Sequence, residues 1–139
     1  MAVTSVPIFP QTIKSPVQQI LQADTSSKKT LYAAGVNGSR VESIVVTSTD
    51  TVLRLLQFYV TVSGTDYLIA SIQCDLSAGT TTAIPPLSVF SSVNMAWMSF
   101  DPAGNRYLYL ESGAALKVAS TTTLTATKAI QFFVQGGDY

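Results

Sequence analysis

The side chains able to do chemistry are few and scattered. The single cysteine, Cys74, falls in phase with Leu68, Ala70, Ile72 and Leu76 along an alternating stretch, so it reads as a small core residue. A catalytic thiol wants a basic neighbour, and the chain contains no histidine. The same gap removes the usual serine triad and the usual zinc site. The acids Asp24, Glu42, Asp50, Asp66, Asp75, Asp101, Glu111 and Asp138 are spread along the chain, mostly at turns. Two carboxylates can meet in space from any separation and share acid and base roles. No pair is singled out here, and Asp66 and Asp101 read as turn formers. There is no dense Asp/Asn loop to hold calcium. The expectation is a protein that is not an enzyme and has no cofactor or metal.

Asn37-Gly38-Ser39 fits the N-glycosylation acceptor pattern, but no basic start followed by an apolar run marks a signal peptide. Nor is it a phosphate loop, since no Gly-Lys-Ser/Thr ending follows. Asn37-Gly38 is instead the strongest two-residue hairpin signal in the sequence. Aromatic residues are more informative. In Phe58-Tyr59 and Phe132-Phe133 adjacent rings must point to opposite faces of a strand, which sends one of each pair outward. In a chain so poor in charge, the outward rings are expected at subunit contacts, where aromatic residues are enriched. Arg54 stands alone within the apolar stretch Val52 to Val62, and its spacing explains nothing about it.

The elements that carry these residues are strands. Charged residues make up 12% of the chain, about half the usual share. Serine and threonine supply the remaining polar surface and favour extended and turn structure over helix. Strand patterns cover Lys29 to Val36, Arg40 to Thr49, Thr51 to Ser63, Tyr67 to Leu76, Arg106 to Glu111, Leu116 to Ser120 and Lys128 to Gln135. Leu87 to Phe100 is ambiguous, with room for a helical turn near Ser88 to Asn94 and a strand through Met95, Trp97 and Ser99. Turns recur at Ser63-Gly64-Thr65-Asp66 and at Asp101 to Asn105. Eight or nine short strands without a long helix predict an all-β sandwich or barrel in residues 29–139.

Residues 1–28 read as an extended N-terminal arm and loop. Pro7, Pro10 and Pro16 block both helix and central strand, which leaves two expectations for the arm: a disordered tail, or a segment that docks on a neighbouring chain through the apolar anchors Ile8, Phe9 and Ile13. Eight basic and eight acidic residues cancel, so neither nucleic acid nor an anionic membrane is an expected partner. No apolar tract is long enough to span a bilayer.

Taken in order, "KTLYAAGVNGSRVESIVVTSTDT", "GTDYLIASI", "FDPAGNRYLYLESGAALKVASTTTL" and the ending "AIQFFVQGGDY" resemble the small decoration, or cement, proteins of tailed-bacteriophage heads. The likeness covers roughly Lys29 to Tyr139. It implies a jelly-roll domain, assembled in the bacterial host cytoplasm, that docks on the outer capsid surface of the virion and clamps neighbouring major capsid protein subunits. It also implies a homo-oligomer, with a dimer favoured over a trimer. The candidate interface residues are Ile8, Phe9, Ile13, Tyr59, Phe133 and Tyr139. The alternative, from a different class, is a carbohydrate-binding β-sandwich of a virion fibre or surface structure, with outward rings stacking on sugars.

Overall fold

The structure, a computed structural model, describes residues 9–139. It is all-β: β1 (Thr12–Lys14), β2 (Val17–Leu21), β3 (Lys29–Ala33), β4 (Ser39–Ser48), β5 (Arg54–Val62), β6 (Thr65–Cys74), β7 (Leu87–Ser88), β8 (Leu108–Leu110), β9 (Ala115–Ser120) and β10 (Ala129–Asp138). The strands form two antiparallel sheets packed as a sandwich. In sheet A, β10 and β4 lie at the centre, β1 and β2 pair with β10, and β7 and β8 pair with β4. Sheet B has the order β3-β9-β5-β6.

Alternation along each strand builds the core between the sheets. Ile44 and Val46 of β4 and Ile130, Phe132 and Val134 of β10 meet Leu56 and Phe58 of β5, Ile72 and Cys74 of β6, and Leu116 and Val118 of β9, all buried. Phe58 and Phe132 touch edge to face across the interface, with ring centroids 6.5 Å apart. Each such ring is worth about 3–5 kcal/mol against truncation to alanine, so these positions define the relative setting of the sheets.

The segment expected as an arm is extended, and over the described residues it lies on its own domain. Val17 pairs with Phe133 and Ile20 with Ile130, and Ile20 is fully buried. Ser15-Pro16 separates β1 from β2 along the edge of β10, because proline has no amide hydrogen to give to the ladder. Ile8 lies outside the described residues.

Three local expectations are corrected. Asn37-Gly38 does not close a hairpin: β3 pairs with β9 in sheet B and β4 with β10 in sheet A, so the turn carries the chain from one sheet to the other. Gly38 donates its N–H to the Gly35 carbonyl at 3.0 Å and alone of the pair has positive φ, 86°. The tight hairpin is at Ser63-Gly64, both with positive φ, joining β5 to β6. Second, Leu68 is exposed rather than inward. The β5–β6 register slips between Phe58 and Tyr59, leaving Ile69 as the extra residue of a bulge, and the alternation reverses beyond it. Third, Leu87 to Phe100 holds only the two-residue β7 and no strand through Met95 and Trp97. Met95 donates to the Ser91 carbonyl in a single helical turn, and Phe100 bridges to Arg106.

Candidate functional site

The outer face of sheet A collects most of the described residues expected at an interface. Phe133 and Val17 face each other across β10 and β2, Ile13 sits opposite Gly137 farther along, and Val45 flanks Phe133 on β4. Phe133 is 42% exposed and Val17 72%. Phe133, Val17 and Val45, with Gln19, Gln131 and Thr47, line an open groove of about 530 Å³. No outward position of β1, β2 or β10 carries a charge, and β4 adds Ser43, Val45 and Thr47 before reaching Arg40 and Glu42 at one end. Such a face can bury apolar surface and accept neutral hydrogen bonds without desolvating an ion.

At that end lies an aromatic cluster. Tyr107 and Tyr109 touch edge to face at 5.0 Å, and Tyr109 and Tyr139 are tilted at 6.4 Å. The Arg40 guanidinium sits 4.2 Å above the Tyr107 ring. Arg40 Nε is 3.3 Å from Glu42 Oε1 but outside hydrogen-bonding geometry, and it is a buried atom left unpaired. Gln11, Asn37, Tyr109 and Tyr139 line a second open cleft of about 570 Å³. Ring faces beside carboxamides suit a ligand with both C–H faces and hydroxyls.

The Gly-Gly-Asp-Tyr ending sets up this region. A Cβ on Gly136 would stand 2.5 Å from the Arg40 carbonyl, and one on Gly137 2.6 Å from Pro10, so both glycines permit close backbone approach. Asp138 accepts hydrogen bonds from the Tyr32 and Ser39 hydroxyls and lies 3.3 Å from Lys14 Nζ. Burial pushes the Asp138 carboxyl up, but these donors outweigh it and the net direction is down. Burial and the hydrogen bond to Asp138 raise the Tyr32 phenol to about 12. The cluster ties β1, β3, β4 and β10 together and is structural.

Tyr59 is not brought to this surface. It lies on the outer face of sheet B, donating to Gln57 Oε1 at 2.8 Å beneath Lys28, whose Nζ is 4.2 Å from the ring. Next to it Asp66 receives Lys28 at 2.8 Å, Lys117 at 3.5 Å and the Thr61 hydroxyl, and its carboxyl is held at about 2 by Lys28 and Thr61. Asp66 is thus an ion-pair hub rather than a turn former. Asp101 is a turn former, accepting from the Ala103 and Asn105 amides.

Arg54 finds its explanation at the far end of the sandwich. Its Nε donates to Asp50 at 2.8 Å, and its terminal nitrogens donate to the hydroxyls of Thr122 and Thr125 at 3.0 and 3.2 Å. Asp50, fully buried, also accepts from the Val52 and Thr125 amides and the Thr125 hydroxyl. An arginine in an apolar strand requires such a partner, and that demand was the only signal of it in the sequence. Cys74 is buried, with its thiol raised to about 11 by burial, Asp75 and Asp50. It is therefore a poor nucleophile. Trp97 and Phe100, both more than half exposed on the connection between β7 and β8, were not among the expected contact residues.

Among the described residues no helix is long and apolar enough to cross a membrane, and no three of Cys, Asp or Glu gather as metal ligands. No family model, curated protein or solved structure matches the chain.

Proposed function

We propose that this chain is a non-catalytic structural protein of a phage virion. It docks on the outer surface of the head, clamps neighbouring major capsid protein subunits and self-associates as a dimer. The observation that carries this is the outer face of sheet A, a charge-free groove with Phe133 and Val17 both exposed. Charges are depleted and aromatics enriched at the centres of protein interfaces.

The strand order supports the jelly-roll part of the resemblance. The antiparallel pairs β2 with β10, β3 with β9, β4 with β7 and β8, and β5 with β6 nest inward toward the Ser63-Gly64 turn. Nesting of this kind is what one long hairpin folded over into two sheets, the winding of a jelly roll, would give.

Deleting residues 1–22 is a poor test of docking, because it removes two strands and buried Ile20 along with Phe9 and Ile13. Phe133→Asp places a charge in the groove while leaving the core untouched. In co-sedimentation with undecorated heads, the variant should lose at least about tenfold in affinity. Unchanged occupancy would sink the docking face.

The cleft of Tyr109, Tyr139, Gln11 and Asn37 favours a second reading, a saccharide-binding module of the virion surface, with stacking from the rings and hydroxyl contacts from the amides. Glycan-array binding that disappears in Tyr109→Ala would support it, and an array without signal for the native chain would remove it.

A further inference from the structure

Three of the four sheet margins are protected. On the outer edge of β3 the carbonyls of Thr30 and Ala33 accept from Gln18 Nε2 at 3.3 Å and Lys14 Nζ at 2.8 Å, so side chains of the N-terminal segment cap that strand. One margin of sheet A is broken into β1 and β2 around Pro16, and the other into the two- and three-residue β7 and β8. Short or interrupted edges resist pairing with another chain.

The fourth margin is β6. It is ten residues long, contains no proline or glycine and, among the described residues, pairs only with β5. Its one charge, Asp66, is neutralised by Lys28 and Lys117 near the hairpin, which leaves Tyr67 to Cys74 uncharged. The Leu55 carbonyl accepts from Thr121 on the β9 side, so by alternation Arg54, Leu56 and Phe58 address β6. The β6 residues opposite Leu55 and Gln57 are Gln73 and Ser71, whose backbone N–H and C=O must therefore point to the open margin. Among the described residues nothing hydrogen-bonds to those groups. Both side chains are exposed.

We propose that the β6 edge pairs antiparallel with β6 of a second copy, joining two four-stranded sheets into one continuous sheet across a two-fold axis. A long, uncharged edge is a template for another strand, and a soluble protein that keeps one has to cover it. A second copy fits because the segment is self-complementary: no like charges meet when Ala70 to Cys74 runs against itself. Centring the axis on Ile72 sets Ser71 of one copy against Gln73 of the other, each in a hydrogen-bonded pair. The inference gives the dimer of the proposed function its surface, but it stands independently of the capsid.

The test uses the purified chain in sedimentation equilibrium up to about 100 μM, a range that detects weak association. The native chain should dimerise. The variants S71D/Q73D and S71K/Q73K place like charges opposite each other twice and should each weaken the dimer by about tenfold or more. An equimolar mixture of the two should recover a heterodimer, which a merely destabilised fold could not do. In hydrogen exchange, the Ser71 and Gln73 amides should be protected at high concentration and open on dilution. A native chain that stays monomeric, variants that dimerise like the native chain, or a mixture that fails to pair would each overturn the inference. Protection that survives dilution to monomer would assign the edge to a segment of the same chain and overturn it equally. None of these results depends on head binding, so they separate failure of the edge from failure of the docking face.

Discussion

Asp50 and Arg54 show how one buried pair can close the end of a sandwich. Asp50 lies in the β4–β5 connection, Arg54 opens β5, and Thr122 and Thr125 belong to the β9–β10 connection, so the network fastens three segments. Burial would raise the Asp50 carboxyl, but Arg54 and the Thr125 and Val52 donors outweigh it and hold it at about 2, below its ordinary 3.8. A folded value below the unfolded one means that the carboxylate's stabilisation is complete above pH 3.8 and is lost as pH falls toward 2. Arg54→Met strands a buried carboxylate and should cost about 3–5 kcal/mol at neutral pH. Asp50→Asn should reduce the acid sensitivity of unfolding between those pH values relative to the native chain. The double variant should be less unstable than Arg54→Met alone, since removing both charges removes the desolvation cost as well. Denaturant titrations at neutral and acid pH measure all three. A loss below about 1 kcal/mol in Arg54→Met would reduce the pair to the worth of a surface ion pair.

At the scale of elements, the period-two alternation made most strands legible, because each buries one face against the opposite sheet. Ile130, Phe132 and Val134 were readable for this reason, and they are buried in β10. Pairing was less legible. Asn37-Gly38 encodes a reversal of direction, but whether the next strand stays in the sheet or crosses to the other depends on Asp138, Ser39 and Tyr32, which come together only in the fold. Leu68 was misplaced by one bulge residue, since a single insertion inverts every side chain beyond it. The proline-rich segment looked free because proline is excluded from central strands, yet an edge position accepts it. Of the candidate contact residues, the stretch could reveal that Phe133 points outward but not that Tyr59 points out on the opposite side. Which face a strand presents follows from sheet membership, and sheet membership is a long-range property.

At the scale of the molecule, the two proposed surfaces are compatible and their combination has a consequence. Antiparallel pairing of β6 edges extends sheet B about a two-fold axis roughly normal to the sheet. That symmetry keeps both copies of sheet A on the same side of the dimer, so two Phe133 grooves face the same way, and such a dimer can engage two neighbouring capsid subunits at once. Once the first groove is seated, the second binds as an intramolecular event, and avidity should exceed the affinity of one groove by about 10²-fold or more. The charge variant S71D/Q73D, monomeric but with its sheet A groove intact, should therefore bind heads about a hundredfold more weakly than the native chain. Phe133→Asp, still dimeric, loses contact at both grooves. Binding isotherms on purified heads distinguish the two cases, because the monomer should saturate at the same number of copies per head with a weaker midpoint. Equal midpoints for monomer and dimer would rule out bridging, leaving each copy to hold its site alone.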